Sequence, residues 1–229
     1  MNVAIIAAAG QGTRLGGKRP KQFLELAGVP IIIHTLKRFE QCSEIQEIIV
    51  VLPVEDAAGF LALAGKHGLR KLARVVPGGA TRAESVWRGL KAVRAATAEI
   101  VAVHDGVRPF VTAEEIERTV RAARESGAAI LAAPVIDTIK EVAQGQVTRT
   151  LERTGLRRAL TPQCFQYELL RRAFEQSPAP SNATDESSLV ESLGLAVTIV
   201  EGDARNIKIT RPEDIALAEI LLKEVVSNQ

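Results

Sequence analysis

The chain has 229 residues, of which 46% are hydrophobic and 24% are charged, and a formal net charge of +2. Its length suits one sizeable α/β domain without requiring a second, and its composition is ordinary for a globular enzyme. The small net charge and the 3% share of aromatic residues argue against a protein that coats nucleic acid or stacks on its bases. The core must therefore consist mainly of Ala, Val, Ile and Leu.

The two cysteines, Cys42 and Cys164, do not indicate a disulfide framework or a zinc site, because no C-x-x-C pattern surrounds them. We expect two buried thiols in a reducing compartment. No charged region precedes the first apolar run, and no apolar stretch approaches the ~20 residues that a membrane helix needs. These observations predict a cytoplasmic protein.

Apolar runs of strand length alternate with helical patterns along the chain. The predicted strands are residues 3–8, 47–52, 74–76, 100–103, 128–134 and 196–200. The predicted helices are residues 31–40, 57–65, 82–95, 113–125 and 213–226. This alternation predicts one α/β domain over residues 1–229, with a mainly parallel, Rossmann-like twisted sheet flanked by helices. Ligands bind beyond the carboxyl ends of such strands, so the loops that follow strands are the first candidates for function.

The first strand leads directly into a loop that is rich in glycine and in positive charge. Arg14, Lys18, Arg19 and Lys21 fall within eight residues of one another. Glycines let backbone N–H groups approach a phosphate chain. So much charge is more than a dinucleotide needs, and it suits neutralisation of a triphosphate and its transition state.

The spacing of this loop differs from two familiar phosphate-binding motifs. The dinucleotide fingerprint would need a glycine where Leu15 stands, and an acidic residue about 20 residues further on. The P-loop would need a hydroxyl group where Arg19 stands. Both a dinucleotide site and a P-loop site are therefore disfavoured.

Two further loops carry residues that could bind a nucleotide or a sugar phosphate. Gly79 and Ser85 follow the third predicted strand, where they could contact a base, or equally form a glycine turn before a capped helix. Asp105 and Arg108 follow the fourth: Asp105 could hold a metal or a sugar hydroxyl and Arg108 a phosphate, or the pair could simply brace a turn. His104 stands at the end of the fourth predicted strand, and we expect it to be a packed residue rather than a base.

Lys208 is predicted to lie on a short strand, followed by Thr210 as a helix N-cap and Pro212 in the first helical turn. Because β-strands are depleted in lysine, this position favours a function. Asp185 and Glu186 are predicted to open a short helix with a capping signature. The sequence shows no arrangement of residues for covalent catalysis. The positively charged side chains in the candidate loops are suited to phosphoryl or nucleotidyl transfer.

One segment breaks the alternation of strands and helices. Residues 136–160 alternate polar and β-branched side chains around Gly145, which predicts an antiparallel hairpin with its turn near residues 143–146. A hairpin that is polar on both faces is not stable alone in water. We expect it to protrude as an arm onto another surface, most simply that of a second subunit.

Together these segments resemble the family of 2-C-methyl-D-erythritol 4-phosphate cytidylyltransferases. The resemblance covers essentially the whole chain and rests on an ordered set of motifs: A-A-A-G-Q-G-x-R-L-G-x(3)-P-K-Q, G-G-x(2)-R-x(2)-S-V, H-D-x(2)-R-P, D-T-x-K, L-x-R-T-x-L, T-P-Q, T-D-E and N-I-K-I-T-x-P-E-D. It implies a nucleotidyltransferase of non-mevalonate isoprenoid synthesis, which transfers the cytidylyl group of CTP to methylerythritol phosphate and releases pyrophosphate, with Mg²⁺. It also implies a homodimer joined through the arm, without nucleic-acid or membrane partners.

The resemblance further implies roles for individual residues. Arg14 and Lys21 would stabilise the transition state and the departing pyrophosphate, while Lys208 would hold the α-phosphate. The residues that line the nucleotide would be Ala8, Ala9, Gly10 and Gly12, with Gly79 and Ser85 reading the cytosine. The residues that hold methylerythritol phosphate would be Asp105, Arg108, Thr138, Thr161 and, from the partner's arm, Arg153. Mg²⁺ would be held by Asp105 or by the phosphates of CTP alone.

Two alternative functions stay open at this point. A ribitol 5-phosphate cytidylyltransferase would share the N-terminal loop and the H-D-x-x-R-P segment, and its substrate differs only modestly in shape. A non-catalytic nucleotide-binding regulator would keep the glycines but is expected to lose the cations. Arg14, Lys21 and Lys208 are all present, which favours the enzyme.

Overall fold

Seven strands in one sheet organise the computed structural model, which describes residues 1–10, 20–177 and 183–227. The strands of the chain are β1 (Val3–Ala7), β2 (Glu25–Leu26), β3 (Val29–Pro30), β4 (Glu47–Leu52), β5 (Leu72–Pro77), β6 (Ile100–Asp105), β7 (Ala128–Pro134), β8 (Lys140–Ala143), β9 (Gln146–Thr150), β10 (Arg157–Gln166) and β11 (Thr198–Glu201). The helices are α1 (Ile31–Gln41), α2 (Ala57–Lys66), α3 (Arg82–Lys91), α4 (Ala113–Ser126), α5 (Tyr167–Gln176), α6 (Glu186–Glu191) and α7 (Pro212–Ser227).

The large sheet has the order β11-β7-β10-β6-β1-β4-β5 and is mainly parallel, as predicted. β1 pairs in parallel with both β4 and β6, and β5 extends the sheet in parallel beside β4. In the described part of the chain, β10 is the one strand of this sheet that runs antiparallel to its neighbours. The carboxyl ends of β1, β5 and β6 therefore meet at one edge, where the predicted loops lie.

Side chains alternate between the two faces of the sheet and so build two core layers. Ala4 and Ile6 pack into one buried cluster with α1, whereas Val3 and Ile5 pack into the other with α3. These clusters consist mainly of Ala, Val, Ile and Leu, as expected, and each buried large aliphatic side chain contributes about 1.5–3 kcal/mol. Gly89 lets α3 approach closely, since a Cβ there would stand 2.7 Å from Ile5.

The predicted strands and helices are found with small shifts at their ends, but the prediction missed β10, helix α5 and the short strands β2 and β3. The sequence predicts that the arm extends to residue 160, whereas residues 157–159 pair with β7 in the large sheet. The arm itself is the two-stranded pair of β8 and β9. Its turn lies at Gln144 and Gly145, both with positive φ, within the predicted residues 143–146.

Lys208 was predicted on a strand, and that assignment is wrong. Residues 206–210 belong to no strand of the described structure, although Pro212 does begin α7 as predicted. Thr210 donates its hydroxyl proton to Asp214 at 3.1 Å, so the hydroxyl acts as a donor to the first turn of α7. Within residues 1–10, 20–177 and 183–227, no helix combines the length and the apolar character needed to cross a bilayer.

Candidate active site

Two adjoining cavities lie at the edge where β1, β5 and β6 end. The larger, of about 470 Å³, is lined mostly by backbone and small side chains that end or follow these strands, including Ala9, Gly10, Gly79 and Ser85. The smaller, of about 260 Å³, is lined by polar groups that include Arg108, Thr161, Gln163 and Asp185. Arg82, Asp105 and Lys208 line both cavities and form a shared wall between them.

The carboxylate of Asp105 is the centre of the shared wall. Its Oδ1 accepts a hydrogen bond from Arg82 Nε at 3.1 Å, and its Oδ2 accepts from Arg108 Nε at 3.1 Å and lies 3.0 Å from Lys208 Nζ. Burial alone would raise the pKa of Asp105, but Arg82, Lys208 and Arg108 together hold it well below its usual range. Asp105 is therefore an ionised anchor for three cations.

Arg82 connects Asp105 to a second buried acid, Glu186. Its Nη1 donates to both carboxylate oxygens of Glu186, at 2.8 and 3.0 Å, and the Glu186 side chain is only 1% exposed. Burial alone would lower the pKa of Arg82, but Glu186 and Asp105 raise it, so the guanidinium stays charged.

Arg108 fixes the loop that carries Lys208. Its Nη1 donates to Asn206 O at 2.8 Å, and Asn206 Nδ2 donates in turn to Thr161 O at 2.9 Å. On the other side of Lys208, Ile209 N donates to Val107 O at 3.0 Å, in the turn that follows β6, and the Ile209 side chain is buried. Lys208 is thus held at the shared wall by anchors on both sides.

His104 lies beneath the shared wall as a packed residue, as expected. Its Nδ1 lies 2.9 Å from Thr161 Oγ1, its Nε2 lies 3.1 Å from Arg108 O, and its ring is 4.9 Å from that of Phe39. Burial lowers the pKa of His104 to about 4, so the ring is neutral at pH 7. Thr161 Oγ1 also accepts from Asp105 N at 3.3 Å, so Thr161 supports the wall as well as lining the smaller cavity.

The larger cavity depends on close backbone packing. A Cβ on Gly78 would stand 2.2 Å from that of Ala9, so only glycine lets the loop after β5 lie against the loop after β1. Ser85 Oγ accepts from Gly79 N at 3.0 Å and donates to Thr81 O at 2.9 Å. Ser85 therefore shapes this cavity in addition to facing it.

Most of the described residues predicted for the site do come together, but not all of them. Those at the cavities are Ala9, Gly10, Gly79, Ser85, Asp105, Arg108, Thr161 and Lys208. Lys21 lies beside Gly10, whose Cβ would stand 4.0 Å from Lys21 Cε, and Ala8 is buried next to Ala9. Gly12 and Arg14 lie outside the described residues.

Thr138 and Arg153 do not line either cavity within this one chain. Both are exposed, and neither is among the described residues that line the two cavities. Arg153 Nη1 donates to Ile136 O at the base of the arm. Ile136, Val142 and Val147 are 78%, 57% and 60% exposed. The arm thus presents apolar side chains that one chain leaves uncovered.

Sequence reasoning assigned no role to Arg82 and Glu186. Both stand inside the quoted motifs, Arg82 in G-G-x(2)-R-x(2)-S-V and Glu186 in T-D-E. Their pairing spans 104 residues, so spacing along the chain gives no sign of it. The one sign of a role in the sequence was that each residue stands in a quoted motif, at the start of a predicted helix.

Asp105 does not fit a protein-held Mg²⁺ in this arrangement. Each of its oxygens already faces at least one cation. The described residues include no cluster of three or more His, Cys, Asp or Glu side chains that could hold a metal ion. The side chains that surround Asp105 are positively charged. They therefore attract phosphate groups and repel a metal ion.

Comparison with known proteins gives consistent matches over nearly the whole chain. The family model described as 2-C-methyl-D-erythritol 4-phosphate cytidylyltransferase matches residues 2–224. Among curated proteins, the enzyme of that name from Bacillus cytotoxicus is 45% identical over 224 residues, covering 97% of this chain and 98% of the relative. That from Bacillus licheniformis is 43% identical over 226 residues, covering 98% and 97%.

Solved structures agree with these sequence matches. The 4-diphosphocytidyl-2C-methyl-D-erythritol synthase of Anaerococcus prevotii superposes with a TM-score of 0.85 at 33% identity, covering 97% of this chain and 96% of that one. The 2-C-methyl-D-erythritol 4-phosphate cytidylyltransferase of Thermus thermophilus superposes with a TM-score of 0.76 at 36% identity, covering 96% and 98%.

Proposed function

The chain belongs to the 2-C-methyl-D-erythritol 4-phosphate cytidylyltransferase family, and on this premise we propose how its two cavities divide the reaction. The enzyme transfers the cytidylyl group of CTP to 2-C-methyl-D-erythritol 4-phosphate, which yields 4-diphosphocytidyl-2-C-methyl-D-erythritol and pyrophosphate for isoprenoid synthesis. One observation supports the proposed division: two cavities of unequal size meet at a wall of cations held by one carboxylate.

CTP occupies the larger cavity, and methylerythritol phosphate occupies the smaller one. The larger cavity has the volume for a nucleotide and a floor of glycine and alanine that brings backbone close to it. The smaller cavity offers Arg108, whose guanidinium suits a phosphate, beside the polar Thr161. With the substrates bound in this way, the attacking phosphate and the α-phosphate of CTP would lie on either side of the shared wall.

The transfer is an in-line substitution at the α-phosphorus. A phosphate oxygen of methylerythritol phosphate forms the new P–O bond while the bond to the bridging oxygen of pyrophosphate breaks, and that oxygen leaves with its electron pair. The attacking phosphate oxygen is already ionised, so no side chain needs to remove a proton. Catalysis therefore consists of positioning and of neutralising charge.

The cations carry this neutralisation. Lys208 holds the α-phosphate beside the attacking oxygen, because it faces both cavities. Lys21, which lies beside Gly10, stabilises the departing pyrophosphate together with Arg14. Asp105 stays ionised and orients Arg108 and Lys208, which accords with its depressed pKa. Gly79 and Ser85 contact the cytosine, since both line the nucleotide cavity.

We propose that Mg²⁺ enters on the phosphates of CTP alone and is not held by Asp105. The cations around both Asp105 oxygens support this assignment. Mg²⁺ supplies neutralisation of the pyrophosphate charge when it is bound. Titration of Mg²⁺ in the absence of CTP should then show no specific binding by calorimetry, and tight binding to the free enzyme would contradict the proposal.

A homodimer completes each site through the arm. Two observations support this proposal: the arm carries exposed apolar side chains, and Thr138 and Arg153 line neither cavity of their own chain. Arg153→Ala and Lys208→Ala subunits should each be inactive alone. A mixture allowed to exchange subunits should regain about a quarter of wild-type activity, because half of the dimers are mixed and each has one intact site. A mixture no more active than its components would contradict a site shared between subunits.

We also propose the cytosol as the location of the enzyme. Cys42 and Cys164 are both buried free thiols, as expected in a reducing compartment. Burial raises the pKa of each thiol, which keeps it protonated and unreactive.

The substrate is tested by pyrophosphate release from CTP with each of two sugar phosphates. We expect a higher kcat/KM with methylerythritol phosphate than with ribitol 5-phosphate. The difference in shape is small, so the preference is the informative quantity rather than activity alone. A higher efficiency with ribitol 5-phosphate would overturn the substrate assignment. Binding of CTP without turnover with either acceptor would instead point to a regulator.

A further inference from the structure

Arg82 and Glu186 form a buried ion pair at the active site that has no place in the reaction described above. Arg82 lines both cavities, and its side chain is 27% exposed, whereas that of Glu186 is 1% exposed. A buried carboxylate is costly unless it is paired. The Glu186 end of this pair is closed off from solvent, while the Arg82 end faces the cavities.

Two carboxylates fix the plane of the Arg82 guanidinium. Nε donates to Asp105 at 3.1 Å, and Nη1 donates to Glu186 at 2.8 and 3.0 Å. The third nitrogen, Nη2, donates no hydrogen bond to any other residue that the structure describes. Arg82 therefore has both a fixed orientation and unused donors at the boundary between the cavities.

Glu186 is itself tied to the central sheet. Gln163 Oε1 accepts from Glu186 N at 3.1 Å and from Ser187 N at 3.0 Å, while Gln163 Nε2 donates to Asp185 Oδ2 at 2.8 Å. Asp185 Oδ1 in turn caps α6 by accepting from Ser188 N at 3.1 Å. The T-P-Q and T-D-E motifs thus build one support, which anchors the Glu186 backbone on β10.

We propose that Arg82 contacts the phosphoryl groups where the two substrates meet, and that Glu186 is the positioning residue that holds it there. The proposal rests on the proposed function, because it needs a phosphate on each side of the shared wall. Arginine suits this place, since its planar fork can donate to two phosphate oxygens at once. Without Glu186, only Asp105 would hold Arg82, and Asp105 already serves Arg108 and Lys208.

The test is a double-mutant cycle with Glu186→Gln and Arg82→Lys, measured by pyrophosphate release. Misplacement of a phosphate contact is expected to lower kcat about 10- to 100-fold for each single variant, with smaller changes in either KM. The double variant should be no slower than Arg82→Lys alone, because Glu186 acts only through Arg82. The matched control is Glu168→Gln, which breaks an exposed pair with Arg171 and should leave kcat unchanged.

Two results would overturn the proposal while the enzyme itself remains active: kcat of Glu186→Gln within twofold of wild type, or losses that multiply in the double variant. If Glu186→Gln shows no cooperative unfolding transition, Arg82→Ala decides the question. Millimolar guanidinium should restore part of its turnover, and a failure to do so would overturn the assignment. Wild-type enzyme that releases no pyrophosphate would refute the proposed function, and this proposal with it.

Discussion

The shared wall and the arm both contain pairs of arginine and an acidic residue, but the pairs are buried in the wall and exposed in the arm. In the wall, Arg82, Asp105 and Glu186 form buried pairs whose partners all lie in the same chain. In the arm, Glu141 and Arg149 also pair, but both are exposed, as is every residue of β8 and β9. The wall is therefore arranged before substrate binds, whereas the arm is a surface that one chain leaves uncovered.

The largest expected effect is the loss of Lys208 from the wall. Lys208→Ala should lower kcat about 10²- to 10³-fold, as for removal of one transition-state charge, while the Kd for CTP changes much less. Stopped-flow pyrophosphate release and calorimetric titration of CTP measure the two quantities. Lys37→Ala, an exposed lysine on α1, is the control. Equal losses in kcat and in CTP affinity would make Lys208 a ground-state anchor instead.

Charges placed on the arm should separate subunits without altering the wall. In the proposed homodimer, Val142→Asp with Val147→Asp would bury unpaired carboxylates between the subunits, which should raise the dimer dissociation constant at least about 100-fold. Sedimentation at a series of concentrations measures this constant. Thr148→Asp, on the same strand, is a control for charge alone. An unchanged sedimentation profile would show that these valines lie outside any subunit contact.

The same contrast explains what the sequence could predict. The buried parallel strands were predictable because each is a short apolar run bounded by turn residues. The arm was predictable because Gly145 marks a hairpin turn. β10 was not, because its pairing with β7 shifts register between Ala159 and Gln163, and its charged and proline residues hide the apolar pattern.

The prediction of which residues lie together succeeded where one loop follows one strand, as at Asp105 and Gly79, which line the same cavity. It was wrong about the strand at Lys208, because alternation of Ile207, Lys208 and Ile209 also fits an extended loop. In the structure, Ile207 and Ile209 pack in the core cluster near α7, while Lys208 faces the cavities. The Arg82–Glu186 pair could not be predicted, since only the folded chain brings α3 and α6 together.

Acid should lower the free energy of unfolding through His104, which is buried beneath the shared wall. Its pKa lies at about 4 when folded and near about 6.5 when unfolded, so only the unfolded chain takes up a proton between these values. The free energy of unfolding should therefore fall by on the order of 2 kcal/mol as pH drops from 6.5 to 4. Urea unfolding of wild type and His104→Asn measures the difference, with His67→Asn as control. An equally steep fall in His104→Asn would exclude His104 as its source.

The smallest effect is expected at the ion pair of the arm. Glu141→Gln removes the same kind of charge as Glu186→Gln, but both Glu141 and Arg149 are at least half exposed in one chain. Exposed pairs contribute within about 1 kcal/mol, so the free energy of unfolding should change by no more than that. Urea unfolding at matched subunit concentration is the measurement, since a dimer's stability depends on concentration. A larger loss would mean that a partner buries this pair, and the contrast between wall and arm would then hold only for the isolated chain.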